Sequence, residues 1–349
     1  MARIKDVAQL AGVSTATVSR VLNGIVVRSD LAEKVHGAID ELGYVPDRTA
    51  RSLRRRHSDV IALVLPDIEN PFFTSLARGV EDVAKVAGYS VVLCNTDDLH
   101  EKEREYLRVA EVENMAGVII APASDDPALA GLLERRRGVV VLDRRISAQV
   151  DQVTFDNVRL GRALTEGLVA RGFRRIACVT GPATTSTAVD RAQGWHEALS
   201  AAGCDAPDEL LVHANFRVDG GYDALLQLLE LPEPPDAVLA TNNLVGVGVL
   251  RALADVHGRP TAGPAETGWV DLGGGDAVRG DAGTGPRLGV AVIGELPFAT
   301  SRTADVLLWP LNPRALGTAA ATMLLERIAG LDVPPRHVEK GVPGLDGEV

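Results

Sequence analysis

Cysteine is scarce in this 349-residue chain, and its three copies stand far apart, at Cys94, Cys178 and Cys204. Their number is odd, and no two of them form a CxxC pair. This spacing suits neither a disulfide framework nor a zinc site, because both need paired or clustered cysteines. The three thiols are therefore expected to be small buried apolar groups in a reducing compartment.

Long apolar runs are missing too, and no stretch is long enough to cross a bilayer as a helix. The first residues, Met1 to Asp6, reach an acidic side chain at once and show neither the apolar core nor the cleavage site of a secretory signal. These absences predict a soluble protein that stays in the cytoplasm and has no membrane partner.

The motifs of common enzyme classes are absent as well. The chain has no GxGxxG after its first predicted strand, and no GxxxxGKS/T, HExxH or GxSxG sequence. The triple glycine Gly273 to Gly275 has no apolar strand before it and is interpreted as linker rather than as a phosphate-binding loop. The sequence therefore argues against an enzyme with a nucleotide cofactor on a Rossmann lobe, and it predicts no cofactor and no metal.

Charge is distributed unevenly along the chain, whose net charge is −11. Residues 1–56 hold ten Lys/Arg against six Asp/Glu, a balance of +4, which leaves −15 for the remainder. A basic end on an acidic body is typical of a small nucleic-acid-binding head attached to a body without affinity for phosphate.

Residues 1–46 carry a helical pattern that is broken at 11–14 and again at 23–27, so three short amphipathic helices are expected. In a helix-turn-helix unit the N-terminal part of the second helix reads base edges. Gly12 would supply the turn and Ser14 the helix cap, while Arg20 could pair with a guanine. The pattern alone leaves one alternative open, an ordinary capped helix whose polar face meets water.

Residues 47–57 form an arginine-rich segment with a single large apolar side chain, Leu53. A helical segment of this length is marginal in water. We therefore expect a hinge that stays disordered or loosely helical until something packs against it.

Residues 58–345 alternate apolar strands with amphipathic helices, which indicates parallel sheets covered on both faces. So many strands favour an α/β body of two Rossmann-like lobes, with a ligand site in the cleft at the strand ends. Residues 257–288 are rich in glycine and predict a flexible surface insertion. The expected strands are 60–65, 90–94, 117–121, 139–142, 175–180, 237–241 and 288–293.

The run from Ile4 to Ser14, IKDVAQLAGVS, continues as TATVSRVLNG to Gly24, and LGYVP follows at 42–46. These sequences resemble the head-piece and hinge entry of the lac-repressor (LacI/GalR) family. The resemblance extends into the body through Asn70-Pro71-Phe72-Phe73. It implies a bacterial transcriptional repressor that binds operator DNA and whose body shares the fold of periplasmic binding proteins.

The resemblance also implies which residues contact DNA. Leu53 matches a leucine that wedges into the minor groove, with three neighbours beside it as groove or phosphate contacts. The implied contacts are Ile4, Ser14, Thr15, Ala16, Thr17, Ser19, Arg20 and Asn23 in the head, and Arg48, Ala50, Arg51 and Leu53 in the hinge.

An effector site between the lobes follows from the same resemblance, and its aromatic and polar residues suit a sugar-like molecule. Phe73 is as compatible with the core as with a ligand wall, and Asp156 could instead cap a helix. Glu295 stands in a segment two residues shorter than in the family, and Asn243 replaces its usual aspartate. The implied effector contacts are Phe73, Asp143, Arg144, Asp156, Arg191, Phe216, Asn242 and Glu295.

The expected assembly is a homodimer on a pseudo-palindromic operator at the nucleoid, with a small-molecule effector controlling affinity. Whether the effector induces or corepresses stays open. A periplasmic sugar-binding protein shares the body fold, but the head-piece and the missing signal sequence count against it.

Overall fold

The computed structural model describes residues 2–22, 25–44, 58–134, 138–256, 288–296 and 305–341. The chain divides into two compact units, Met1–Asp59 and Val60–Val349. The predicted hinge at 47–57 and the predicted insertion at 257–288, apart from Leu288, lie outside the described residues. No helix within the described residues is long and apolar enough to cross a membrane.

The first unit contains three helices, as its pattern predicts: α1 (Ile4–Ala11), α2 (Thr15–Leu22) and α3 (Ser29–Leu42). Gly12 takes the left-handed conformation, with φ +65°, that ends α1 and starts the turn. One side chain of α2, Val18, is fully buried between the other two helices. The head therefore has an apolar core of its own, formed by Val7, Ala8, Ala11, Val18, Val35 and Ala38.

The second unit begins with the first lobe and its alternating strands and helices. Its elements are β1 (Val60–Leu65), α4 (Pro71–Val86), β2 (Ser90–Asn95), α5 (His100–Val112), β3 (Gly117–Ile120), α6 (Pro127–Glu134), β4 (Val139–Leu142) and β5 (Asp151–Phe155).

The second lobe repeats this alternation. Its elements are α7 (Asn157–Ala170), β6 (Ile176–Thr180), α8 (Ser186–Ala201), a 3-10 turn (Asp208–Leu210), β7 (Leu211–His213), α9 (Val218–Leu229), β8 (Ala237–Ala240), α10 (Asn243–Val256), β9 (Gly289–Ile293) and β10 (Asp305–Trp309). The chain then returns to the first lobe with α11 (Pro313–Ile328) and β11 (His337–Lys340).

Each lobe is built on one parallel sheet. The first has the strand order β11-β5-β4-β3-β1-β2 and the second β10-β9-β8-β6-β7. The helix-rich head and the two-lobed α/β body confirm the fold class expected from the sequence. Because the strands of each sheet are parallel, the loops at their carboxyl ends gather at one edge, where open α/β sheets bind ligands.

Neighbouring helices approach closely wherever each contributes a glycine at the crossing point. A Cβ on Gly161 of α7 would lie 2.1 Å from the carbonyl oxygen of Arg191 on α8, and one on Gly194 would lie 2.0 Å from that of Val158. Alanine cannot occupy these positions without moving a helix. The same reciprocal pairing joins α4 to α11 through Gly79 and Gly317, and α9 to α10 through Gly221 and Gly248.

A buried carboxylate on β5 binds the segment after α11 to the first lobe. The side chain of Asp151 is fully buried and accepts hydrogen bonds from Arg327 Nη2 at 2.7 Å and from Arg336 Nη2 at 2.9 Å. The backbone N–H of Arg336 adds a bond of 2.8 Å. Burial by itself would raise the pKa of Asp151, but the bonds from Arg327 and Arg336 outweigh burial and lower that pKa to about 2.

Replacing Asp151 by asparagine is therefore expected to lower the free energy of unfolding of the body by about 3 kcal/mol at neutral pH, because two arginines lose their buried counter-charge. A depressed native pKa stabilises the fold above the ordinary carboxyl pKa, and this stability is lost as pH falls through about 2. Thermal unfolding followed between pH 7 and pH 2 should show less pH dependence in Asp151→Asn than in the parent. Asp332→Asn, at an exposed carboxylate nearby, is the control, and an equal loss in both variants would contradict this role.

Candidate DNA-reading surface and effector cleft

The outer face of α2 presents the side chains expected to read DNA. Thr15, Ala16 and Arg20 are exposed, and Ser19 is half-buried. Residues 15, 16, 19 and 20 share one face of a helix because they are spaced by three and four. The face opposite them carries Val18, which fixes α2 in the head core. The geometry therefore combines an anchored helix with a polar, positively charged outer face.

Two of the other predicted DNA contacts hold the start of this helix. Ser14 Oγ accepts a hydrogen bond from the backbone N–H of Thr17 at 3.1 Å, and the two hydroxyl oxygens lie 2.9 Å apart. Ser14 thus caps α2, as predicted. Ile4 is half-buried and packs against the head core. Asn23, Arg48, Ala50, Arg51 and Leu53 lie outside the described residues.

A cleft of about 490 Å³ lies between the two lobes, at the carboxyl ends of both sheets. Loops from both lobes line it, and so does the start of α11. Seven of the eight predicted effector contacts belong to this lining: Phe73, Asp143, Arg144, Arg191, Phe216, Asn242 and Glu295.

Asp143 is the most unusual carboxylate of the cleft. It is only 6% exposed, and its backbone has a φ of +64°, a strained value for a residue with a side chain. Within the described residues no hydrogen bond reaches this carboxylate. Burial raises the pKa of Asp143, and the nearby Arg191 and Arg144 oppose the rise. A buried acceptor without a protein donor is suited to a ligand hydroxyl.

Arg191 faces Asp143 from the second lobe. This arginine projects from within α8 and not from the end of a strand. Its Nε donates to Asn157 Oδ1 at 2.8 Å and its Nη1 to the carbonyl of Thr241 at 2.6 Å. Within the described residues Nη2 of Arg191 makes no hydrogen bond, so this end of the guanidinium is available to the cleft. Burial lowers the pKa of Arg191, which the Asp143 carboxylate opposes.

Arg144 connects the lobes through an aromatic ring. The side chain of this first-lobe residue donates to Asp98 and to the carbonyl of Pro122. Its guanidinium carbon lies 5.9 Å from the ring centroid of Phe216 in the second lobe, within cation–π range. The same ring also packs on Gly181, where a Cβ would come within 2.3 Å of it. The Arg144–Phe216 contact therefore fixes an aromatic wall of the cleft.

The remaining predicted residues divide between the cleft and the scaffold. Phe73 is 5% exposed and belongs to the main core cluster while also lining the cleft. Asn242 lines the cleft, but its Oδ1 accepts from the N–H of Val245 and its Nδ2 donates to the carbonyl of Phe216. Glu295 is exposed at the rim.

Asp156 is the predicted contact that the structure does not bring into the cleft lining. Its carboxylate accepts from the N–H of Arg159 at 2.9 Å and caps α7. This is the alternative that the sequence had left open for Asp156.

Sequence reasoning missed a buried amide pair that joins the lobes. Asn243 Nδ2 donates to Asn70 Oδ1 at 3.1 Å. The motif Asn70-Pro71 gives a readable signal, a capping residue followed by a proline at the first helical position. Nothing local points to its partner, which lies 173 positions further along the chain.

Two arginines make further inter-lobe contacts nearer the surface. The backbone N–H of Arg145 donates to Ser186 Oγ at 2.7 Å, and Nη2 of its guanidinium donates to both carboxylate oxygens of Asp190. Arg217 Nη2 lies 3.7 Å from Asp67 across the cleft. The structure therefore holds the lobes together by polar contacts on several sides of the cleft.

Comparison with known families divides the chain in the same way as the fold does. Residues 3–47 match the family described as bacterial regulatory proteins, lacI family. Residues 58–270 match the family of periplasmic binding proteins and sugar binding domain of LacI family. The second match alone covers more than half of the chain.

Individual relatives agree with these matches. The ribose operon repressor of Escherichia coli K12 is 36% identical over 276 residues, which cover 78% of this chain and 84% of that protein. The HTH-type transcriptional repressor PurR of Vibrio atlanticus is 34% identical over 259 residues, which cover 73% of this chain and 78% of that protein.

Two solved structures resemble the whole chain. The transcriptional regulator CelR in complex with cellobiose has 27% identity and a TM-score of 0.67, with 98% of this chain and 97% of that chain covered. The lac repressor dimer bound to operator and an anti-inducer has a TM-score of 0.78 with 98% and 96% covered, and its 22% identity makes it evidence of the fold alone. The head, the two-lobed body and these likenesses agree, and the chain belongs to the LacI family of bacterial regulatory proteins.

Proposed function

We propose that this protein is a transcriptional repressor that binds a pseudo-palindromic operator as a homodimer, and that a small polar effector in the cleft sets its operator affinity. The observation that carries the proposal is the exposed face of α2, with Thr15, Ala16 and Arg20 opposite the fully buried Val18. A helix held in this way can enter the major groove without losing its anchor. Such a protein acts at the nucleoid, in the cytoplasm.

The cleft supports a neutral, hydroxylated effector such as a sugar. The carboxylate of Asp143 accepts hydrogen bonds, whereas Nη2 of Arg191 donates them, and both are open to the cleft. A hydroxyl group donates and accepts at once, so neighbouring hydroxyls can bond to both residues. The cellobiose complex of one relative and the ribose operon of another support this class of ligand.

The proposed control follows from the inter-lobe contacts. An effector that bonds to Asp143 in the first lobe and Arg191 in the second favours one arrangement of the lobes over another. Operator affinity then changes only as far as the effector's affinity differs between the two arrangements. The hinge at 47–57, with Leu53 as a minor-groove wedge, remains a sequence prediction in this scheme.

Gel retardation on the intergenic DNA upstream of the protein's own gene tests the function. We expect a discrete complex that survives excess unrelated DNA. The protein concentration that retards half of the DNA should change with at least one sugar from a panel of pentoses, hexoses and disaccharides. Retardation that depends only on DNA length and salt would contradict sequence-specific regulation.

Dimerisation is supported by an apolar surface at one edge of the first lobe. Strand β2 is the edge strand of its sheet within the described residues, with Val92 41% exposed and Leu93 43% exposed. Val86, at the end of the adjacent α4, is 92% exposed. Uncovered apolar edges favour association. In a two-fold symmetric dimer, this edge of one protomer would pack against the same edge of its partner.

Replacing Leu93 by aspartate is expected to convert the dimer to a monomer, since it places a charge in the proposed interface. Operator affinity should fall at least about 100-fold, because a monomer contacts one half-site only. Light scattering coupled to size exclusion measures the mass. The matched control is Leu331→Asp, at a leucine that is 40% exposed on another surface, and a dimeric Leu93→Asp protein would rule out this interface.

A further inference from the structure

Asn70 and Asn243 form a hydrogen bond whose direction is fixed by the local fold. Asn70 caps α4, and its Oδ1 accepts the backbone N–H of Phe72 at 3.0 Å. This bond requires the amide oxygen, not the nitrogen, at that position. Only a donor can therefore face the same oxygen from the other lobe.

Asn243 meets this requirement. It is the first residue of α10 and donates through Nδ2 to Asn70 Oδ1 at 3.1 Å. Both side chains are buried, with 4% exposure for Asn70 and 7% for Asn243. Gly294, which has a φ of +104°, lies beside Asn243. A Cβ added to this glycine would be 3.4 Å from the Cβ of Asn243.

We propose that Asn243 is a positioning residue whose bond to Asn70 stabilises, in the absence of an effector, the arrangement of the lobes seen in this structure, the closed arrangement. The consequence for effector control rests on the proposed function. A residue that raises the population of the closed arrangement reduces the free energy of closure that effector binding must supply. It therefore influences the apparent affinity for the effector.

The burial of this pair distinguishes it from the ion pairs between the lobes. The side chain of Arg145 is 57% exposed where it pairs with Asp190, and Arg217 Nη2 lies 3.7 Å from Asp67, too far for a hydrogen bond. Exposed ion pairs contribute little because solvent screens them. Removing the donor of a buried acceptor lowers stability more, because the acceptor is left without a hydrogen-bond partner.

Two isosteric variants separate the hydrogen bond from charge. Asn243→Asp removes the donor and places a carboxylate oxygen against Asn70 Oδ1. Asn70→Asp keeps the acceptor for both the Phe72 N–H and Asn243. Each adds one negative charge at the N-terminal end of a helix, where the helix dipole favours it, so the two variants differ mainly in whether the bond between the lobes survives.

Amide hydrogen exchange of the full-length protein, without DNA or sugar, measures lobe opening at a remote reporter. The backbone N–H of Arg145 is bonded to Ser186 Oγ of the other lobe and loses this protection when the lobes separate. We expect exchange in the peptide containing Arg145 to be about tenfold faster in Asn243→Asp and within about twofold of the parent in Asn70→Asp.

Exchange at the parent rate in Asn243→Asp, or an equal acceleration in both variants, would overturn the proposal. The uncharged variant Asn243→Ala removes the same donor and should accelerate exchange about threefold or more, which keeps the test valid if Asn243→Asp does not fold. Because the readout needs neither operator nor effector, a failure of the proposed repressor function leaves its result interpretable.

Discussion

Alanine in place of Arg20 is expected to lower operator affinity about 100-fold or more while leaving the melting temperature unchanged. A bidentate arginine–guanine contact contributes about 1–3 kcal/mol, and a dimer would lose two of them. Arg20 is exposed on α2, so its removal takes nothing from the head core. Fluorescence anisotropy with labelled operator gives the affinity, and circular dichroism gives the melting temperature.

The control for Arg20 is Lys34→Ala, which removes one exposed positive charge from α3 of the same head. Its effect should be small and should disappear at high salt, as expected of a general electrostatic contribution. Equal losses in the two variants, or equal losses on operator and unrelated DNA, would show that Arg20 contributes charge and not base recognition.

Asparagine in place of Asp143 is expected to weaken effector binding about 10- to 100-fold, because a hydrogen bond to an ionised group is worth about 1.5–3 kcal/mol. The effector is whichever sugar of the panel shifts the operator midpoint. Stability should fall less than in Asp151→Asn, since within the described residues no hydrogen bond reaches the Asp143 carboxylate, although Arg191 and Arg144 lose a nearby opposite charge. Isothermal titration of the variant with that sugar measures the loss.

Asp156→Asn provides the comparison for Asp143. Asparagine caps helices as well as aspartate does, so α7 should be unaffected. If Asp156 acts only as the cap seen in the structure, sugar affinity should stay at the parent value. A loss matching that of Asp143→Asn would restore the effector contact predicted from sequence.

The order of strands and helices was predictable where apolar residues dominate. The runs at 60–65, 139–142 and 289–293 are almost wholly apolar, and each forms a strand at or within one residue of the expected bounds. The head was predictable for a related reason, because Gly12 and the apolar stripes of its helices mark the turn and the core within a few residues.

Strands that depend on distant partners were missed. β5 begins with Asp151 and Gln152, two polar side chains that look like loop residues. They are buried because Arg327 and Arg336 neutralise Asp151 from 176 and 185 positions away, and because Gln152 bonds to the backbone of Ile146. β11, with the sequence HVEK, is recognisable only from its pairing with β5.

The candidate site shows the same limit. Family resemblance located seven residues of the cleft, but it did not reveal that Asn242 is occupied by capping contacts or that Arg191 projects from a helix. The bond between Asn70 and Asn243 depends on how the two lobes pack against each other, which no local sequence pattern predicts.

Methylation protection of the operator by dimethyl sulfate tests the central claim most directly, because it probes guanine N7 in the major groove. We expect symmetric protection of one or more guanines in each half-site by the parent protein, and its loss with Arg20→Ala at concentrations that still saturate the DNA. Unchanged protection in that variant, or protection confined to the minor groove face, would contradict the assignment of α2 as the reading helix.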